Sequence, residues 1–128
     1  MEKGIIDARI RRSNLNELAG KYYRDLNSSI VKKLNEENKK AIVGIQAEDN
    51  KYTIVGEEFL YYKMNSGFED KISNSEFLKI LTDNAMMLGK KGNFEFVNID
   101  ENRAVWISNS SIMNAIWNIM LLFKEKGE

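Results

Sequence analysis

Arg9, Arg11, Arg12, Arg24 and Arg103 are the side chains of this sequence best suited to recognising a ligand, because a planar guanidinium matches phosphate oxygens two at a time. Three of these five arginines fall within residues 9–12. Two tyrosine pairs, Tyr22-Tyr23 and Tyr61-Tyr62, and Trp106 add rings on which a base could stack. Together, Arg9, Arg11, Arg12, Arg24, Arg103, Tyr23 and Tyr62 are candidate contacts for a small phosphorylated ligand such as a nucleotide. The same residues also admit a plain structural reading. Charge runs commonly lie in solvent, and rings in strands and amphipathic helices commonly pack. Arg103 stands among apolar residues, where a long cation needs a partner, and Glu57, Glu58 or Glu95 is expected to supply it.

Other chemistry is narrowly bounded. The chain has no cysteine and no histidine, which removes thiolate nucleophiles, disulfides, Cys-based metal sites and the commonest general base. Carboxylates are paired at Glu36-Glu37, Glu48-Asp49, Glu57-Glu58, Glu69-Asp70 and Asp100-Glu101. Adjacent acids in a strand point to opposite faces and do not converge on one bond or one metal. The residues from Asp49 lack the alternating ligands of a calcium loop. Gly89-Lys90-Lys91-Gly92 lacks phosphate-loop spacing and reads as a helix stop. No catalytic residue, metal ligand or cofactor site is expected, and the chain is expected not to be an enzyme.

Several elements must position these residues. Leu15, Leu18, Tyr22, Leu26, Ile30 and Leu34 recur at three- and four-residue steps and predict one long amphipathic helix over 14–38, with a bend or a close contact at Gly20. A short helical piece is expected ahead of it. Segments 41–47, 51–55 and 59–64 are rich in Ile, Val, Tyr and Phe, are separated by turn residues, and predict three strands. Residues 65–71 read as a loop. Ser73 and Glu76 form a capping box for a helix that Gly89 or Gly92 can close. Segments 93–99 and 103–108 predict a hairpin around Asp100-Glu101-Asn102. Phe94 and Phe96 share one face of its first arm. Asn109, Ser110 or Ser111 then caps a final helix.

That final segment, Ile112 to Phe123, is interrupted only by Asn114 and Asn118. An apolar circumference implies burial on nearly all sides, and twelve residues fall short of the roughly 20 that cross a bilayer. It reads as a core helix or as the centre of a subunit contact, with Met113, Trp117 and Met120 as candidate interface residues.

The element order α-β-β-β-α-β-β-α describes a single α+β domain over 1–128, with a mainly antiparallel sheet of about five strands and helices packed on it. In that order and in size the chain is similar to the small dimeric chaperones of type III secretion systems, a resemblance of topology that implies dimerisation and protein binding.

A composition of 43% hydrophobic and 30% charged residues is that of an ordinary globular domain. The zero net charge removes the global electrostatic argument for nucleic acid or membrane. Residues 1–10 lack the apolar stretch of a signal peptide, and a cytoplasmic location is the simplest expectation. The abundance of Lys, Asn and Ile suggests an A+T-rich genome, bacterial or phage. The expected function is a non-enzymatic protein-binding module, such as an inhibitor, immunity protein, chaperone or adaptor. Its expected partners are a second copy of itself and an unidentified protein. Sequestration of a phosphorylated ligand is the alternative.

Overall fold

The β-rich middle of the chain forms a meander because its turns are short and its central strands are apolar on both faces. The computed structural model describes residues 3–90 and 95–127. Strands β2 (Ala41–Gln46), β3 (Tyr52–Gly56) and β4 (Phe59–Lys63) pair antiparallel. They are flanked by β1 (Tyr23–Arg24) and β5 (Glu69–Ser73), giving the order β1-β2-β3-β4-β5. The hairpin β6 (Phe96–Asn98) and β7 (Ala104–Trp106) forms a second, two-stranded sheet. Helices are α1 (Lys3–Ser13), α2 (Leu15–Ala19), α3 (Ser29–Glu36), α4 (Asn74–Lys90) and α5 (Ser110–Gly127). The molecule is α+β, and the expected order is kept in outline. The expected single sheet is instead two, and β1 and β5 are additional strands.

The large sheet is covered on both faces. Val43, Ile45, Val55, Leu60, Tyr62 and Ile72 pack with residues of α2, α4, α5 and the β6–β7 hairpin in the main core. Ala41, Tyr52, Ile54 and Tyr61 meet Val31 and Leu34 of α3 in a smaller core on the other face. Ala41 and Val43 would share a face in a regular strand. A register shift between them makes Ile42 an extra residue, so the bulge reverses the alternation and sends Val43 to the main core. Gly44 is required where β2 and β3 approach: a Cβ there would lie 2.1 Å from the Thr53 carbonyl oxygen.

The long helix predicted over 14–38 does not form. Asn14 is left-handed (φ 65°) between α1 and α2, and Gly20 takes φ 55°, ψ −119°, a region that suits glycine. One turn of 3-10 helix, Gly20–Tyr22, then leads into extended Tyr23. Asp25 Oδ1 accepts the Asn27 N–H at 2.9 Å, and Ser28 Oγ accepts the Asp25 N–H at 2.8 Å. Side-chain bonds of this kind offer the backbone an alternative to helix. The apolar period across the break is therefore fortuitous, and Leu18 and Leu26 remain 42% exposed.

Capping follows the sequence more closely. Ser73 Oγ accepts the Glu76 N–H at 3.1 Å at the start of α4, and Asn109 Oδ1 accepts the Ile112 N–H at 3.0 Å at the start of α5. Helix α4 runs through Gly89 to Lys90, while Gly92 and Phe94 lie outside the described residues.

Candidate functional site

The basic run is divided by the helix that carries it. On α1, Arg9 and Arg12 are three residues apart and share a face, whereas Arg11 aligns with Asp7, four residues earlier. Arg9 Nη1 donates to the Asn118 carbonyl of α5 at 2.9 Å. Arg9, Arg12, Ser13 and Asn118 line a hollow of about 230 Å³. Arg11 and Arg12 also lie in the last turn of α1, where cations favourably meet the negative end of the helix dipole.

The other face of α1 contributes to a larger hollow of about 330 Å³. Asp7, Ile10 and Arg11 form one wall; Tyr23, Asp25, Leu26 and Asn27, from β1 and the turn after it, form another. Ile42 completes the lining from the β2 bulge, at the residue the bulge re-aims. Burial raises the Tyr23 hydroxyl's pKa above its ordinary value, and the negative charges of Asp25 and Asp7 raise it further. Among the described residues the hollow thus has an apolar lining from Ile10, Tyr23, Leu26 and Ile42, together with the carboxylates of Asp7 and Asp25 and the guanidinium of Arg11.

The remaining candidates lie elsewhere and are occupied. Arg24 Nε donates to Gln46 Oε1 at 3.0 Å, and its Nη1 donates to the carbonyls of Lys21 and Tyr23 at 2.9 and 2.8 Å. It holds β1 against β2. Arg103 is ion-paired as expected in kind, but with other partners: Nε donates to Asp100 Oδ2 at 2.8 Å and Nη1 to Asp70 Oδ2 at 3.2 Å. These bonds tie the β6–β7 turn to β5. Glu95 instead accepts the Trp106 indole N–H at 3.1 Å.

Neither Tyr62 nor Trp106 offers a stacking surface. Tyr62 is fully buried, and burial and then Asp70 raise its hydroxyl's pKa against the opposing charge of Arg103. Trp106 is 4% exposed, meets Tyr22 edge-on at 5.4 Å between centroids, and has Lys51 Nζ 5.0 Å from its ring. Its carbonyl accepts the Thr53 hydroxyl, joining the hairpin to β3. The arginines therefore line two hollows and two structural contacts, and do not converge on one site.

Met113 and Met120 of α5 belong to the main core, at 8% and 0% exposure, and Trp117 packs half-buried against it. The chain itself covers the two methionines, with α1, α2 and α4 in contact with α5. Asn114 and Asn118 mark the exposed seam of the helix.

Sequence reasoning passed over Asp7, Ile10, Asp25, Leu26, Asn27, Ile42, Ser13 and Asn118. The i, i+4 spacing of Asp7 and Arg11 and the Asp25–Ser28 turn residues were legible signals. The bulge at Ile42 was not. Among the described residues no group of three or more acidic side chains could hold a metal ion, and no helix is long and apolar enough to cross a membrane. Comparison with protein-family models, with curated proteins and with solved structures finds no match.

Proposed function

We propose that the chain is a non-enzymatic protein-binding module and that its docking surface is the hollow between α1 and β1. The observation that carries this reading is the pairing of open apolar surface with unequal charge. Leu26 is 42% exposed beside Ile10, Tyr23 and Ile42, and among the described residues of the lining the charged groups are Asp7, Asp25 and Arg11. The occupant that complements such a lining is a polypeptide segment with a basic residue next to an apolar one. A phosphorylated ligand in the same place would meet two carboxylates.

A second copy of the chain is the alternative occupant. Met113 and Met120 lie within the protein's own core, whereas Leu26 is open to such a contact. The experiment is a random-peptide display selection against the wild-type protein and against Leu26→Glu. Basic–apolar peptides enriched on the wild type and absent from Leu26→Glu support the reading. Enrichment that ignores the substitution, or no enrichment, overturns it. Solution mass at micromolar concentration, compared for the same two proteins, reads the second copy: an association lost in Leu26→Glu assigns the hollow to self-contact.

A further inference from the structure

We infer that Asp25 is the specificity-determining residue of the α1–β1 hollow, where its carboxylate selects the basic side chain of the docked segment. This rests on the reading of that hollow as a protein-docking surface and adds which residue discriminates.

Asp25 stands in the turn between β1 and α3, and the turn holds it firmly. Its Oδ1 accepts the Asn27 N–H at 2.9 Å, its own N–H donates to Ser28 Oγ at 2.8 Å, and its carbonyl accepts the Ser28 N–H at 2.9 Å. A carboxylate oriented before binding loses little freedom when it meets a cation. Its two oxygens can accept several bonds, so the Asn27 N–H leaves it able to accept a charged donor. Among the described residues Asp25 forms no ion pair.

Asp7 is differently placed. It precedes Arg11 by four residues on α1, where opposite charges are neighbours and partly offset each other. The Tyr23 hydroxyl on the wall of the hollow registers the difference: burial raises its pKa most, Asp25 next and Asp7 least.

The main chain of β1 leaves discrimination to side chains. The Tyr23 N–H donates to the Gly20 carbonyl, the Tyr23 carbonyl accepts Arg24 Nη1 at 2.8 Å, and Ser28 holds both backbone groups of Asp25. A strand added by a partner needs such edge groups open. Leu26, 42% exposed, therefore takes the apolar residue, and Asp25, its neighbour in the chain and in the lining, takes the cation.

Asp25→Asn separates charge from shape, because an amide oxygen accepts the same Asn27 N–H. The test probes an array of hexapeptides, each carrying Leu with Arg, Lys, citrulline or norleucine beside it in otherwise matched sets, with wild type, Asp25→Asn, Asp7→Asn and Leu26→Glu. Fluorescence anisotropy then gives Kd for the strongest Leu26-dependent set. The expected result is a basic peptide that binds the wild type at least tenfold tighter than its citrulline match, and loses at least tenfold in Asp25→Asn but less than threefold in Asp7→Asn. The citrulline peptide should bind wild type and Asp25→Asn equally. Equal losses for basic and citrulline peptides would show that Asp25 only shapes the turn, and overturn the inference. So would a basic preference that survives in Asp25→Asn or is abolished by Asp7→Asn, or Leu26-dependent binding with no charge preference, and these leave the docking reading intact. Absence of any Leu26-dependent binding overturns both.

Discussion

Arg103 illustrates what a single residue's context tells and what it hides. A cation among apolar neighbours had to be paired, and it is, yet the partners come from the turn three residues earlier and from a strand that read as loop. The Asn102 amide N–H and then Arg103 hold the Asp100 carboxyl below its ordinary pKa near 3.8. A lowered carboxyl pKa contributes stability that is complete above the unfolded value and is lost as pH falls through the folded one. The stability difference between the wild type and Asp100→Asn should be largest near neutrality and shrink below about pH 4, as followed by urea denaturation. A difference independent of pH would contradict this. At the alkaline end, burial and then Glu69 and Glu37 push Tyr52 up to about 12. The folded state then holds a proton that the unfolded state has released, so this contribution is lost as pH rises from about 10 to about 12. In a phenolate absorbance titration, Tyr52→Phe should remove the last-appearing ionisation.

Among the elements, those whose local signals agreed with their packing were legible. The three central strands, the Ser73 cap and the apolar α5 formed where apolar pattern and turn chemistry coincided. The segment 14–38 carried a helical period and turn residues together, and the turn residues prevailed because their side chains satisfy the backbone locally. Strand β5 was obscured because an edge strand rich in charge has little apolar alternation to read.

Glycines test these elements directly. Gly20→Ala has free space but forces φ 55° on a residue with a Cβ, and should cost roughly 1–3 kcal/mol. Gly44→Ala meets the Thr53 carbonyl and the Ile54 backbone, which cannot swing aside, and should cost at least about 3 kcal/mol. On α5, Met120→Ala should cost roughly 2–5 kcal/mol, whereas exposed Asn118→Ala should stay within about 0.5 kcal/mol. Denaturant midpoints decide each. An inconsequential Met120→Ala would mean that α5 is not packed as described.

For the whole molecule, composition and strand spacing conveyed the α+β class, while the assembly of the candidate sites stayed hidden. Asp7, Leu26 and Ile42 are brought together by a helix face, a turn and a bulge, and no spacing along the chain encodes that meeting. The separation of the two hollows, one with Asp7, Asp25 and apolar side chains and one with Arg9 and Arg12 among the described residues of its lining, arises only after α1 is placed between β1 and α5. It also explains why the basic run did not become a single anion site: successive residues of a helix face different neighbours.

The α1–β1 hollow is proposed to receive a basic–apolar polypeptide segment. The most direct measurement is a calorimetric titration of one peptide selected on the wild type into wild-type, Leu26→Glu and Arg12→Ala proteins. Binding should be lost or weakened at least tenfold in Leu26→Glu and unchanged in Arg12→Ala, with all three proteins equally stable. Undiminished binding to folded Leu26→Glu would contradict it.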